Sequence, residues 1–412
     1  MRILVEPSDY PYLENMGDVT MQRTTLSRLA FWPSGEIDVF TDDIARFPRC
    51  ASNVRPIDTV GRTAWMTGYV HRVRRHLPMP DAIRDGLLNL ERSVRLRMPS
   101  AIRGQVRAFY DAATQCDLLV VCGMGGITDV FIPYAPNLLD TIALAKSHGA
   151  TVVLFSQGVG PLNHDARLRR RASEVLKTVD FIALREGATS PGLVAELGVP
   201  ADRVMVTGDD AIEYAAENAG SGSHDALGVN LRVARYSKVD RSLIAGLREV
   251  LLGFATERRA PIAAVPSDLS PVVGDAPIVS ALIDGYTAVR PGAVTDPASL
   301  ARQLDGCHML FAGSYHAAVF ALAQGVPTVC VENSQYYREK WLGLRHQFGA
   351  GVWIVSLADA GWKSALRQAL DQAWDSYDDV RPVLMRAAQR QVVLSRQAYE
   401  RVHAIVDKRL SQ

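Results

Sequence analysis

Short apolar runs alternate with stretches of helical spacing along most of the chain. In the first half these runs predict strands at 2–5, 37–40, 118–122, 151–155, 181–184 and 204–206, and the helical patterns lie between them at 20–30, 137–148 and 167–178. Regular alternation of strands and helices is typical of parallel sheets that are covered by helices on both faces.

A polar segment rich in Gly and Ser, residues 218–225, interrupts this pattern and predicts a linker. The alternation then resumes, with strands predicted at 227–230, 262–265, 309–312 and 328–331, and helices at 242–257, 298–304 and 316–324. The sequence therefore predicts an α/β protein of two Rossmann-like, doubly wound domains facing a cleft, where such sheets bind ligands. We place the first domain at 1–217 and the second at 226–380. A C-terminal helix at 381–412 is expected to pack back on the first domain.

Composition excludes several classes of protein. The chain has 412 residues, with 45 Lys and Arg against 44 Asp and Glu, and this balance argues against a nucleic-acid partner. No run approaches the ~20 apolar residues that a membrane span needs. The five cysteines include no CxxC pair, which indicates free buried thiols in a reducing compartment. We therefore expect a cytoplasmic protein, and the sequence leaves its oligomeric state open.

One segment departs from this neutrality. Between Arg62 and Arg107 the chain has ten Arg against three acidic residues, a local net charge of +7. A solvated helical face would explain the charge. A docking surface for an anionic acceptor, including a membrane surface contacted peripherally, would explain it equally, and both interpretations stay open at this stage.

Glycines follow three of the predicted strands or their turns. They are Gly17 before the first helix, Gly125 and Gly126 after the third strand, and Gly158 and Gly160 after the fourth. Glycine just past a parallel strand allows a ligand to approach the backbone, although it serves equally for tight packing of strand against helix. The spacing matches neither GxGxxG nor GxxxxGK[ST], so neither a dinucleotide site nor a P-loop is predicted.

Two side chains of the second half are candidates for chemistry. His316 opens an apolar helix directly after a strand, where partial desolvation and the helix N-terminus lower the pKa of an imidazole and suit it to proton transfer. A buried structural histidine is the alternative. Arg232 ends another strand and is expected to point a guanidinium into the same cleft. We find no metal-ligand spacing such as HExxH, so no metal is predicted.

Taken in order, these segments make the chain resemble the polysaccharide pyruvyl transferase family. The resemblance implies a two-domain fold similar to GT-B glycosyltransferases. It also implies a transferase that moves a pyruvyl group from phosphoenolpyruvate onto two hydroxyls of a saccharide or lipid-linked saccharide, forming a ketal and releasing phosphate. No cofactor is implied. The matching segments are 15–18, 123–129, 157–161, 183–186 with 197–199, 208–209, 228–232, and 313–327 with Lys340.

The resemblance also implies roles for particular residues. His316 is the candidate acid that protonates the enol methylene, and Asp18 or Asp129 would orient acceptor hydroxyls. Arg232 and Arg185 are candidate anion clamps. The remaining residues predicted for the donor side are Ser314, Tyr315, Arg338 and Lys340.

One departure from the family pattern divides the hypotheses. The family commonly has Arg two positions before this His, where it helps to hold phosphoenolpyruvate, and this chain has Ser314. Either Arg338 or Lys340 supplies the missing cation, or the donor is different. A GT-B glycosyltransferase using a nucleotide sugar and a non-catalytic family member are the two alternatives.

Overall fold

A computed structural model describes residues 1–8, 14–30, 35–42, 44, 47, 53–66, 81–97, 103–132, 134–220 and 224–411. It contains two parallel sheets covered by helices, which confirms the predicted α/β class. Most apolar side chains of both sheets are buried, as expected of strands covered on both faces, although those of the edge strand β8 are only half-buried.

The first sheet has eight strands, in the order β3-β2-β1-β4-β6-β7-β8, with β5 paired to β6. These neighbouring strands pair in parallel. The strands are β1 (Arg2–Glu6), β2 (Glu36–Thr41), β3 (Val54–Asp58), β4 (Leu118–Val121), β5 (Met124–Ile127), β6 (Thr151–Val159), β7 (Phe181–Leu184) and β8 (Val204–Val206).

Helices connect these strands across both faces of the first sheet. They are α1 (Met16–Leu29), α2 (Val60–Met66), α3 (Asp81–Arg97), α4 (Arg103–Gln115), α5 (Tyr134–Ser147), α6 (Ala166–Leu176), α7 (Ser190–Glu196) and α8 (Ala211–Glu217). Asn15 accepts hydrogen bonds from the first-turn amides of α1, and Asp165 does the same for α6, so both are N-caps.

The second sheet has five parallel strands in the order β10-β9-β11-β12-β13. These are β9 (Ala226–Val229), β10 (Ile262–Ala264), β11 (Cys307–Ala312), β12 (Thr328–Glu332) and β13 (Val352–Ser356). The helices around them are α9 (Ile244–Arg258), α10 (Ala276–Ile283), α11 (Pro297–Asp305), α12 (Tyr315–Ala323), α13 (Gln335–Phe348) and α14 (Trp362–Asp375).

One helix, α15 (Tyr377–Leu410), runs from the second sheet to the first. Its first half contributes Leu384 and Val392 to the core around α12. Its second half contributes Val402 to the core of the first sheet, where the ring of Tyr399 stacks on Phe155 with centroids 3.8 Å apart. The predicted boundary at 381 falls inside this helix.

The helix before the linker ends at the predicted domain boundary but packs against the second half. Ala211, Ile212 and Ala215 of α8 are buried in the same apolar core as α12 of the second half. The two halves are therefore joined by packed helices, and the 218–225 segment connects elements that already contact each other.

Several elements were not predicted. β3 contains Pro56 and charged residues, and its alternation is too weak to read as a strand. β6 extends to Val159, through the Gly-containing segment that we had assigned to a loop. Four cysteines, Cys116, Cys122, Cys307 and Cys330, are free and buried as expected, and Cys50 lies outside the described residues. None of the helices in the described part of the chain combines the length and hydropathy needed to cross a bilayer.

Candidate functional site

The site lies where the first turn of α1 meets the N-terminus of α12. The backbones of the two halves are bonded here, because the Met16 amide donates to the Ser267 carbonyl and the Leu269 amide donates to the Glu14 carbonyl, each at 2.9 Å. Both helices follow the carboxyl ends of strands, which is where a doubly wound sheet places its ligand. The predicted cleft is thus closed along one edge by direct contact.

His316 is buried and its tautomer is set by Asn15. The Asn15 Oδ1 atom accepts from the amides of Gly17 and Asp18, so the 3.0 Å contact between His316 Nδ1 and this oxygen requires Nδ1 to carry a proton. Neutral His316 therefore presents the lone pair of Nε2. That atom is buried without a hydrogen bond and lies 3.9 Å from Asp18 Oδ1.

Two cations lie beside His316 around the ring of Tyr315. The guanidinium carbon of Arg185 is 4.3 Å from the ring centroid and Lys340 Nζ is 5.0 Å from it, while the centroids of Tyr315 and His316 are 5.2 Å apart. Asp209 Oδ2 lies 3.6 Å from Arg185 Nη1 and makes no hydrogen bond. The arrangement places two basic side chains beside the His316 imidazole.

The surroundings of His316 and Lys340 favour the neutral forms of these two side chains. Desolvation, reinforced by Arg185 and Lys340, holds the pKa of His316 well below its ordinary value. Desolvation and Arg185 also hold the pKa of Lys340 well below its usual range, against the opposing charges of Asp18 and Asp209. An anion placed among these groups would raise both pKa values, because it favours their protonated forms.

Three of the five predicted glycines make room for these side chains. A Cβ atom on Gly17 would lie 1.9 Å from His316 Cγ, one on Gly125 would lie 2.7 Å from Arg185 Nη2, and one on Gly158 would lie 2.9 Å from Arg185 Nε. These three glycines thus admit the protein's own histidine and arginine. The other two serve the fold: a Cβ on Gly126 would meet the Tyr134 ring, and Gly160 has a left-handed φ of 104°.

Arg232 is buried but already engaged. Its Nη1 atom is 2.7 Å from Asp268 Oδ2 and 3.1 Å from Asp275 Oδ1, and its Nε donates to the Tyr236 hydroxyl at 3.0 Å. Desolvation lowers the pKa of Arg232, but the negative groups around it outweigh this and raise the pKa overall. A guanidinium tied to two carboxylates is a poor free anion clamp, so the geometry favours Arg185 for that role.

Ser314, which stands at the family's Arg position, belongs to the same network. Its Oγ is 2.7 Å from Ser267 Oγ, which in turn is 2.9 Å from Asp275 Oδ2. Ser314 is the N-cap residue of α12, yet its side chain makes no hydrogen bond to the first turn of that helix. The Ser314 side chain therefore does not cap the first-turn amides of α12.

The structure separates the remaining predicted residues. Lys340 points into the site, whereas Arg338, two positions earlier on α13, is 61% exposed and pairs with Glu332 at 3.2 Å. The geometry therefore favours Lys340 over Arg338 as the compensating cation. The Asp129 carboxylate accepts from the backbone amides of His164 and Asp165 and so holds a loop, and its predicted acceptor-orienting role stays a prediction. Asp18 remains beside His316.

Sequence reasoning missed three contributors. Asn15 was noted only as part of the 15–18 segment, and its contact with His316 links residues 301 positions apart. Asp209 was noted as part of a Gly-Asp motif without a role. Tyr336, whose ring centroid is 4.3 Å from Lys340 Nζ, lies on a helix that was not predicted. Within the described residues, no group of three or more His, Cys, Asp or Glu side chains is placed to hold a metal ion.

Solved structures similar to this chain support the fold. A UDP-GlcNAc 2-epimerase from Neisseria meningitidis superimposes with a TM-score of 0.58, 11% identity and complete coverage of both chains. A putative UDP-N-acetylglucosamine 2-epimerase from Listeria monocytogenes superimposes with a TM-score of 0.60 and 12% identity, over 100% of this chain and 96% of that one. A glycosyltransferase from Rickettsia africae superimposes with a TM-score of 0.55 and 11% identity, over 99% of this chain and 98% of that one. The predicted GT-B-like architecture is confirmed.

Sequence comparison identifies the family. No curated protein sequence matches the chain. The family model for polysaccharide pyruvyl transferase matches residues 29–335, most of the chain, although Asn15, Asp18 and Lys340 lie outside the matched range. The chain therefore belongs to the polysaccharide pyruvyl transferase family, as its motifs predicted, and is a saccharide-modifying transferase with a GT-B-like fold.

Proposed function

We propose that this protein transfers a pyruvyl group from phosphoenolpyruvate to two hydroxyls of a saccharide, forming a ketal and releasing phosphate. The observation that carries the proposal is the grouping of Arg185 and Lys340 around Tyr315, beside a His316 whose Nε2 has no hydrogen bond. Two cations suit a donor with both a carboxylate and a phosphate, and the adjacent imidazole suits a reaction that begins with protonation of carbon.

Donor binding would prepare the acid. Burial, Arg185 and Lys340 lower the pKa of His316 and so favour its neutral form. The negative charges of phosphoenolpyruvate would offset Arg185 and Lys340, raise the pKa of His316 and allow Nε2 to take up a proton. The Nδ1 proton stays with Asn15, so the transferable proton is held at the atom that faces Asp18. Lys340 would supply the charge that Ser314 cannot.

Transfer of the pyruvyl group then proceeds through one protonation and two hydroxyl attacks. His316 Nε2 delivers its proton to the methylene carbon of the donor, and the π electrons of the double bond form the new C–H bond, leaving positive charge on C2. A saccharide hydroxyl attacks C2 and returns its proton to the now neutral Nε2. A second hydroxyl attacks C2 as the C–O bond to phosphate breaks, and its proton leaves with the phosphate. Asp18, 3.9 Å from Nε2, is placed to orient the attacking hydroxyl.

Measurement of phosphate release tests the proposal. The purified protein is incubated with phosphoenolpyruvate and a panel of saccharide and lipid-linked saccharide acceptors, and products are examined by mass spectrometry for the added pyruvyl group. We expect release that depends on both substrates and is lost in His316→Ala. Binding of phosphoenolpyruvate is measured separately from its effect on the melting temperature.

The outcomes separate the alternatives. Stabilisation by UDP or GDP, but not by phosphoenolpyruvate, would replace this donor with a nucleotide sugar. Neither binding nor turnover across the panel would instead indicate a non-catalytic family member. Arg338→Ala is the matched control for Lys340→Ala, because the two cations are close on α13 but only Lys340 contacts the Tyr315 ring.

A further inference from the structure

The surface helix α3 (Asp81–Arg97) exposes an apolar stripe. Ile83, Leu87, Leu90 and Val94 are 57%, 38%, 62% and 42% exposed, respectively. Their spacings of four, three and four residues place them within an arc of about 60° on one face of the helix. Leu96 instead packs on the core of the first domain. The large apolar side chains of the stripe thus face away from the protein.

The sequence around this stripe is strongly basic. Between Arg72 and Arg107 it has nine Arg against three acidic residues. Arg97, Arg103 and Arg107 are exposed, whereas Arg62, which we had counted in the basic segment, is buried and pairs with Glu6 at 2.5 Å. Arg72, Arg74 and Arg75 lie outside the described residues. In the described part of this segment, exposed apolar residues therefore accompany the exposed charges.

We infer that α3 docks this protein on the surface of an anionic lipid bilayer. An amphipathic helix with apolar residues on one face and arginines around it buries that face at the boundary of headgroups and acyl chains, and its cations attract anionic lipid. A second copy of the chain fits this face less well, since contact between two such segments would bring like charges together. The occupant is therefore a bilayer, contacted peripherally, and this conclusion does not depend on the donor.

Vesicle sedimentation tests the inference with the full-length protein. We expect pelleting with vesicles of phosphatidylcholine and phosphatidylglycerol at low salt, little with phosphatidylcholine alone, and progressive loss as salt rises. The double substitution Leu90→Ser with Val94→Ser should weaken binding at least about tenfold by removing apolar contact. Val272→Ser is the matched control, because Val272 is 87% exposed and lies in the second half of the chain.

The contrary results are equally specific. Failure of the wild-type protein to pellet with anionic vesicles at low salt would overturn the inference, as would unchanged pelleting of the double variant. A dimer in sedimentation velocity that the double variant abolishes would assign the stripe to a second copy instead. Unchanged melting temperatures would establish that the variants are folded, as expected for exposed positions.

Discussion

Substitution of Gly17 by Ala is expected to disable the site without unfolding the protein. The new Cβ would lie 1.9 Å from His316 Cγ, and real Cβ atoms essentially never approach closer than 3.0 Å, so the imidazole must move by about 1.1 Å. Such a shift is enough to lengthen the 3.0 Å contact with Asn15 beyond hydrogen-bond range. A misplacement of about 1 Å costs roughly 100-fold in rate, or about 2.7 kcal/mol of transition-state stabilisation.

Stability should respond differently from activity. Gly17 lies in the first turn of α1 and its φ is not left-handed, so alanine fits the backbone and favours the helix by about 0.5–1 kcal/mol. This gain partly offsets the cost of moving the ring, and the melting temperature should change by only a few degrees. Gly253→Ala in α9 is the control, since nothing lies within 4 Å of its added Cβ.

The assay is phosphate release at saturating donor and acceptor. The reasoning predicts that Gly17→Ala lowers kcat about 100-fold in the wild-type background and has almost no further effect in His316→Ala, because the two changes act through one imidazole. If Gly17→Ala keeps more than half of the wild-type kcat, the observed position of His316 is not required for catalysis. The proposed acid role would then be refuted.

Three further predictions concern the charges around the site. Lys340→Ala should weaken donor binding about tenfold or more while Arg338→Ala leaves it unchanged, measured by isothermal titration calorimetry; equal effects would refute the assignment of Lys340. Because the pKa values of His316 and Lys340 are lowered, donor binding should take up protons and should tighten as pH falls toward neutral. Titrations in buffers of different ionisation enthalpy measure this proton uptake. Its absence would contradict the mechanism. Asp275→Ala leaves Arg232 buried beside only one carboxylate, so it should reduce the free energy of unfolding in urea by about 3–5 kcal/mol. The control Asp375→Ala, at a 62% exposed position, should reduce this free energy by less than about 1 kcal/mol.

The fold and part of the site could be predicted because their signals are local. Buried parallel strands appear as short apolar runs, and His316 stands directly after such a run at the start of an apolar helix. A side chain at that position is expected to be buried at the carboxyl end of the sheet, as His316 is. The family resemblance added Arg185, which no local pattern distinguishes from the other arginines.

The rest of the site depends on helical phase and long-range contact. Arg338 and Lys340 are two positions apart, and about 200° of rotation around α13 separates them, so one pairs on the surface and the other enters the site. Choosing between them required the bounds of a helix that was not predicted. Asn15 and Asp209 reach the site only because segments distant in the sequence fold together. The spacing of residues along the chain therefore could not predict their contacts with His316 and Arg185.

Helix α15 has a consequence for how the chain acquires its structure during synthesis. One face of the first sheet is covered by Tyr399 and Val402, which are translated roughly 200 residues after β8, the last strand of that sheet. At about 5–20 residues per second, the part of that face beneath Tyr399 and Val402 would remain uncovered on the ribosome for roughly 10–40 seconds. The first half of this protein is therefore expected to need protection from aggregation until nearly the whole sequence has emerged.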